Sequence, residues 1–197
     1  MAIRTIRTWL WVAVVALALT AGTAAFLLRQ PQPVAGSFSV AEFDLVDQNG
    51  DPVDETVFAG HPSVLFFGFT HCPEVCPTTM AEMSAWFEAL GEEGADLRAY
   101  FVSIDPERDT PAVLGDYVSW VSDRITGITG DPQQIAAIAK GWGVFYEKVP
   151  LDGGDYTMDH TASVFLLDRN GEFQGTIAYR EDMATALGKL RNLLAKS

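Results

Sequence analysis

Residues 63–77 read SVLFFGFTHCPEVCP, and this segment indicates both the fold class and the chemistry of the chain. Its first seven residues form a continuous apolar run of strand length, which is typical of a central strand covered on both faces. A proline at position 77 suits the first turn of a helix. Apolar residues then follow at helical spacing, namely Met80, Met83, Phe87 and Leu90. We therefore predict a helix beginning at Pro77, with Cys76 as its N-cap and Cys72 in the preceding turn.

The chain on either side of this segment alternates between strand-like and helix-like patterns. Predicted strands cover 38–46, 97–104, 125–129, 162–167 and 173–179, and predicted helices cover 111–121, 132–139 and 180–195. A turn signal at 47–50 predicts an N-terminal β-hairpin. This alternation predicts an α/β protein with a central mixed sheet flanked by helices, which is compatible with a thioredoxin-like fold.

The N-terminal segment contains an uncharged run of 20 residues, 9–28. As a helix this run would span about 30 Å, the thickness of a bilayer core. Two preceding arginines favour a cytoplasmic N-terminus. We therefore expect residues 1–8 in the cytoplasm, a transmembrane helix over 9–28, a linker over 29–36 and an exported domain over 37–197. A cleaved signal peptide is the alternative, and both readings export the domain.

The charge of the chain is strongly acidic outside its first thirty residues. Three of the 13 basic residues and none of the 26 acidic residues lie in that stretch, which leaves a net charge of −16 for residues 31–197. Phosphate binding needs a basic surface, so nucleic acid is excluded as a partner. Solubility accounts for the acidic surface, and steering of a cationic metal is the functional alternative.

The two cysteines of the chain have three readings. A structural disulfide between Cys72 and Cys76 would close so short a loop that it adds little stability. Thiol–disulfide exchange is the second reading, although thioredoxins use the spacing C-x-x-C and this pair has C-x-x-x-C. Metal binding is the third, because a helix N-terminus lowers the pKa of nearby thiols and so favours thiolate ligands. Soft thiolates with one imidazole suit copper, whereas a closed zinc site needs more donors.

Three histidines are candidates for that imidazole. His71 adjoins Cys72, and adjacent side chains usually point apart. His61 lies in a predicted turn and is expected to face solvent. His160 precedes a predicted strand, at the end of the sheet where an α/β protein gathers its site. Spacing alone does not decide between these histidines.

Three phrases together resemble the signature of the Sco/SenC family of copper chaperones. They are Phe67–Pro77, Ser103–Pro111 (SIDPERDTP) and Asp159–Thr161 (DHT), and the resemblance covers residues 38–195. It implies a thioredoxin-like domain behind a membrane anchor. It also implies binding of one Cu(I) or Cu(II) ion per chain, with Cys72, Cys76 and His160 as the ligands.

The resemblance further implies a task in the bacterial inner membrane, with the domain on the periplasmic side. That task is to receive copper from an unidentified donor and to deliver it to the binuclear copper centre of cytochrome c oxidase subunit II. Such a protein is not an enzyme. The alternative is a thiol–disulfide oxidoreductase that reduces the cysteines of that subunit through a Cys72–Cys76 disulfide.

Other residues near these phrases have more modest expected roles. Asp159 is a candidate for orienting the site. Asp105 and Asp109 are expected to cap and shape the loop before Thr110. Met158 could contact copper transiently, whereas the two methionines of the helix after Cys76 share its apolar face and are predicted to pack in the core.

The predicted topology is testable with a reporter that is active only after export, fused after Ser197. We expect activity from the full chain, because positive residues before the apolar run retain the N-terminus in the cytoplasm. Deletion of residues 9–28 is the control and should abolish that activity. Activity of a reporter that works only in the cytoplasm would contradict the predicted orientation.

Overall fold

The computed structural model of the protein describes Trp9 and residues 42–196. Its strands are β1 (Leu45–Asp47), β2 (Pro52–Val53), β3 (Ser63–Gly68), β4 (Arg98–Ser103), β5 (Ile125–Thr129), β6 (Tyr146–Pro150), β7 (Tyr156–His160), β8 (Val164–Leu167) and β9 (Phe173–Ile177). The α-helices of this part of the chain are α1 (Val75–Leu90), α2 (Pro111–Val121), α3 (Pro132–Gly141) and α4 (Met183–Lys196).

Seven of these strands form one mixed sheet, in the order β2-β1-β5-β4-β3-β8-β9. Strands β3, β4 and β5 are parallel, and β1 and β8 join them antiparallel on the two sides. Helix α2 packs on β5, and α4 packs on β8 and β9. The predicted central mixed sheet flanked by helices is confirmed, as is the N-terminal hairpin formed by β1 and β2.

Strand β3 lies near the middle of the sheet, and all six of its residues are buried. A strand buried on both faces needs apolar side chains at every position, which explains the continuous run in its sequence. Helix α1 follows it directly and buries Met80 and Met83 completely. Both methionines are therefore core residues, as predicted, and each such side chain contributes about 1.5–3 kcal/mol by leaving water.

Helix α1 begins two residues earlier than predicted. Glu74 precedes the helix, Val75 is its first residue, and Cys76 lies inside the first turn instead of at the N-cap. Pro77 is tolerated there because the first N–H groups of a helix have no intrahelical acceptor in any case. At α2 the prediction is confirmed, since Thr110 accepts a hydrogen bond from the Val113 N–H at 3.4 Å.

An antiparallel hairpin formed by β6 and β7 was not predicted from the sequence. Its residues are mostly half-buried or exposed, so they lack a strong apolar alternation. The connecting turn contains Gly153 and Gly154 with φ of 91° and 88°, a conformation that glycine adopts without steric cost. The prediction placed His160 in a loop before a strand at 162. His160 instead ends β7, and β8 starts at Val164.

The predicted transmembrane helix over 9–28 and its flanking segments lie outside the described residues, apart from Trp9. Within the part of the chain that the structure describes, no helix is both long and apolar enough to cross a bilayer. Residues 42–196 belong to one compact unit. The boundaries 1–8, 9–28, 29–36 and 37–197 stay predictions.

The contact between β3 and α1 is tight at Gly68. A Cβ atom added there would lie 2.9 Å from the Cys76 Sγ and 2.9 Å from a ring carbon of Phe101. We expect Gly68→Ala to lower the free energy of unfolding by about 1–3 kcal/mol, because sulfur and ring must both move. Chemical denaturation of the two proteins measures the change.

Gly188→Ala is the matched control, because nothing lies within 4 Å of the added Cβ on helix α4. There the better helix propensity of alanine should leave stability unchanged or raise it by about 1 kcal/mol. Wild-type stability of Gly68→Ala would refute the tight contact between β3 and α1.

Candidate metal centre

Three soft or borderline donors converge at the N-terminal end of α1. The sulfur atoms of Cys72 and Cys76 and one ring nitrogen of His160 all lie within 4.8 Å of one another. Cys76 is buried, whereas Cys72 and His160 are half-buried. Within the described residues this is the one cluster of three or more His, Cys, Asp or Glu side chains with such spacing. The structure thus brings together the three residues that the family resemblance implies as metal ligands.

The two cysteines occupy different environments within one turn. Cys72 lies in the loop, where its sulfur accepts a hydrogen bond of 3.3 Å from the Cys76 N–H. Helix N-termini favour negative charge, so this position suits a thiolate. The Cys76 sulfur instead faces the core, against the space left by Gly68.

These environments move the two thiol pKa values in opposite directions. A hydrogen bond from the Cys76 thiol is the largest cause that lowers the pKa of Cys72 to about 4, with help from backbone N–H groups. Burial raises the pKa of Cys76 far above the ordinary thiol value. The reduced pair therefore carries a thiolate on Cys72 and a proton on Cys76. The expected effect of the helix N-terminus thus holds for only one of the two thiols.

His160 is oriented by a backbone group. Its Nδ1 lies 2.9 Å from the carbonyl oxygen of Thr161, which can only accept, so Nδ1 carries the hydrogen. The neutral ring then has its lone pair on Nε2, which lies 3.4 Å from the Cys76 Sγ. Phe66 and Phe69 pack edge-to-face with the imidazole at 6.0 and 5.9 Å. The ring is thereby held with its Nε2 toward the Cys76 sulfur.

The other two histidines point elsewhere. The exposed His71 has its Nδ1 3.1 Å from the Thr70 hydroxyl and 3.9 Å from an oxygen of Asp109. His61 pairs with Asp96 at 2.5 Å. Adjacency to Cys72 therefore does not bring His71 into the cluster.

Two further candidates lie at the cleft beside the cluster. Asp159 is exposed on its rim, and His160 donates its orienting hydrogen bond to the Thr161 carbonyl instead. No sequence pattern marks a backbone acceptor, so this contact could not be predicted. Met158 also lines the cleft but is buried in the core.

Comparisons with known proteins identify the family of the chain. The sequence profile of the SCO1/SenC family matches residues 32–195. The chain belongs to the SCO1/SenC family. It is 37% identical over 157 residues to a SCO2-like protein of Rickettsia felis, covering 74% of this chain and 77% of that one.

Solved SCO1/SenC structures share its fold. Bradyrhizobium japonicum ScoI with copper bound is 41% identical with a TM-score of 0.72, over 78% of this chain and 98% of that one. Yeast Sco1 with copper bound is 30% identical with a TM-score of 0.73, over 80% and 88% of the two chains. The thioredoxin-like α/β domain predicted from the sequence is therefore the fold of this SCO1/SenC chain.

The segment Ser103–Pro111 of this SCO1/SenC chain does more than cap a helix. Asp109 is fully buried and accepts hydrogen bonds from the Thr70 N–H at 3.1 Å, the Thr70 hydroxyl at 2.6 Å and the Ser103 hydroxyl at 2.6 Å. It therefore holds the cysteine loop two residues before Cys72. The expectation that Asp109 mainly shapes its own loop was incomplete, because it also binds side chains and backbone up to 39 residues away in the sequence.

The difference in pKa between the thiols of Cys72 and Cys76 predicts selective alkylation of Cys72 in the reduced, metal-free chain. At pH 6 an ordinary thiol with a pKa of about 8.5 is less than about 1% thiolate. Cys72, with a pKa of about 4, is almost wholly ionised at that pH, so iodoacetamide should modify it and spare the buried Cys76. Peptide mass spectrometry across a pH series measures both rates.

The Cys72 rate should stay level from neutral pH down to about pH 5 and fall below it, because the thiolate is protonated only near its lowered pKa. Cys76→Ala removes the thiol donor and should slow Cys72 at pH 6. A Cys72 rate that climbs steadily through pH 8–9 in the unsubstituted chain would contradict the assignment.

Proposed function

We propose that this chain is a copper metallochaperone that binds one copper ion through Cys72, Cys76 and His160. The observation that carries the proposal is the convergence of two sulfurs and an imidazole nitrogen within 4.8 Å. One sulfur is already a thiolate, and the imidazole has its lone pair on the nitrogen nearest the cluster. This ligand set forms with little rearrangement of the described residues.

The donor set fits copper better than a structural zinc ion. Structural zinc sites use four ligands, and no fourth His, Cys, Asp or Glu side chain joins this group in the described residues. Thiolates select Cu(I), which is satisfied with few ligands. The ligands must be deprotonated, so copper would displace the proton of Cys76. The solved relatives from Bradyrhizobium japonicum and yeast, each described with copper bound, support the same choice.

Partial exposure of the site supports a carrier of copper over a permanent holder. Cys72 and His160 are reachable from the cleft, whereas Cys76 is buried. An incoming thiolate of a partner would replace the accessible ligands first, and Cys76 would release the ion last. Copper keeps its oxidation state in this exchange, so no electron donor is needed. We propose that the acceptor is the binuclear copper site of cytochrome c oxidase subunit II and that a separate donor loads the chain.

The proposed location follows from the N-terminal sequence. The apolar run 9–28 is long enough to anchor the chain in a bacterial inner membrane, with residues 37–197 on the periplasmic side. The strongly acidic domain would then meet copper and its acceptor outside the cytoplasm.

A thiol–disulfide reductase is the second candidate, favoured by the thiolate of Cys72 beside the thiol of Cys76. In that reaction the pair would give two electrons to a partner disulfide, with the Cys76 proton and one proton from solvent completing the partner's two thiols, and Cys72 and Cys76 would be left joined by a disulfide. A thiolate stabilised to a pKa of about 4 also stabilises the reduced pair, which makes it a weaker reductant. We therefore rank copper delivery first and keep reduction as an accessory activity.

His160→Ala separates the two functions, because copper binding needs all three ligands whereas disulfide exchange needs only the thiols. In cells lacking the native protein, we expect His160→Ala to lose oxidase activity almost as fully as the double cysteine variant at limiting copper. His71→Ala is the matched control, since its imidazole lies outside the cluster, and it should keep wild-type activity.

Copper analysis of the purified full-length chains completes the test. Wild type and His71→Ala should hold one copper per chain, and Cys72→Ser or Cys76→Ser should hold almost none. Full oxidase activity of His160→Ala at limiting copper would overturn the chaperone proposal in favour of the reductase.

A further inference from the structure

The hairpin of β6 and β7 carries His160 but shares no backbone ladder with the seven-stranded sheet. Hydrogen bonds from residues 146–160 to the rest of the described chain, apart from the two of His160, all go to residues 105–108. Together with the buried side chain of Met158, the loop that follows β4 therefore holds the hairpin that carries His160.

Three side chains make the buried part of this connection, and we call them the Tyr156 latch: Asp105, Arg108 and Tyr156. Asp105 is 1% exposed and accepts hydrogen bonds from Arg108 Nε at 2.5 Å and from the Tyr156 hydroxyl at 2.7 Å. Arg108 Nη1 donates to the Tyr156 carbonyl at 2.9 Å, and the guanidinium stacks 3.7 Å from the centre of the tyrosine ring.

The latch is stronger than the other tie between hairpin and loop. Lys148 and Glu107 form an ion pair at 2.7 Å, but both side chains are exposed, so solvent screens their attraction. The carboxylate of Asp105 is fully buried and needs its two donors, because an unpaired buried charge is strongly unfavourable. Burial and the hydrogen bond to Asp105 raise the pKa of Tyr156 to about 12, which keeps its hydroxyl a donor.

The same loop also holds the cysteine segment at its other end. Asp109 binds the N–H and the hydroxyl of Thr70, two residues before Cys72. Asp105 and Asp109 are thus four residues apart in one loop and hold the two segments that carry the metal donors. This loop therefore connects the hairpin that carries His160 with the segment that carries the cysteines.

We propose that Asp105, Arg108 and Tyr156 are positioning residues that set the distance of His160 from Cys72 and Cys76. The proposal rests on the proposed function, in which these three donors bind copper. Loosening the latch at the Tyr156 hydroxyl should weaken the histidine ligand while leaving the two sulfurs in place, because within the described residues that hydroxyl binds Asp105 and no residue of the cysteine loop.

Tyr156→Phe is the sharpest variant, since it removes the hydroxyl bound to Asp105 and keeps the ring stacked on Arg108. We expect the full-length variant to bind Cu(I) about tenfold more weakly, as is common when a group that orients a ligand is lost. The absorption and paramagnetic resonance of its Cu(II) form should also change. Tyr146→Phe is the matched control: it lies opposite His160 in the hairpin, its hydroxyl makes no hydrogen bond in the described chain, and it should behave as wild type.

A double-mutant cycle with His160→Ala distinguishes positioning from a general loss of stability. If Tyr156 acts through His160, Tyr156→Phe should cause no further loss of Cu(I) affinity once the imidazole is gone. Equal losses in both backgrounds would overturn the proposal, as would unchanged affinity and spectra in Tyr156→Phe.

Arg108→Lys provides a second variant, because lysine keeps the charge but cannot bond Asp105 and the Tyr156 carbonyl as a planar fork does. It should show the same tenfold loss and the same dependence on His160, and wild-type binding would count against the latch. Absence of copper binding by the unsubstituted chain would instead refute the proposed function itself.

Discussion

Helix α1 approaches the end of strand β3 so closely that Gly68 has no room for a side chain. This contact places the Cys76 sulfur in the core, where burial keeps it protonated, and leaves Cys72 in the loop above it. The thiol of Cys76 can then donate to the sulfur of Cys72, which becomes a thiolate at ordinary pH. A steric constraint between a strand and a helix thereby divides two chemically identical residues into an accessible thiolate and a buried thiol.

That division suits the proposed function, in which the site must hold a metal ion and also release it. The thiolate and the imidazole lie at the cleft and can exchange with the ligands of another molecule, whereas the buried sulfur is the slowest to be replaced. Stabilisation of the reduced pair works in the same direction, because it favours metal binding over donation of electrons to a disulfide. One physical cause thus favours copper transfer and disfavours reduction.

A second constraint comes from buried carboxylates. Asp105 and Asp109 are almost inaccessible to water, and such groups are stable only where every charge has a partner. Their partners belong to the histidine hairpin on one side and to the cysteine loop on the other. The need to satisfy these two carboxylates therefore ties the β6–β7 hairpin to the cysteine loop, although no backbone ladder joins them. It also accounts for the acidic residues of Ser103–Pro111, which lies in the sequence between the cysteine phrase and the histidine phrase.

The sequence by itself determined the elements whose information is local. The apolar run of β3, the methionine face of α1, the Thr110 cap and the α/β alternation all depend on residues within a few turns of one another, and all were predicted. The predicted start of α1 at Pro77 was two residues too late, because proline is equally acceptable at several first-turn positions. His160 was chosen by resemblance, since sequence spacing alone does not decide between the three histidines.

Only the tertiary structure decided the rest of the site. The β6–β7 hairpin fully buries only Met158, and most of its residues are half-buried or exposed, so its apolar pattern was too weak to predict. The contact of Tyr156 with Asp105 joins residues 51 positions apart, and the orientation of His160 comes from a backbone carbonyl that has no sequence signature. Such contacts depend on how distant segments pack, which local pattern does not encode.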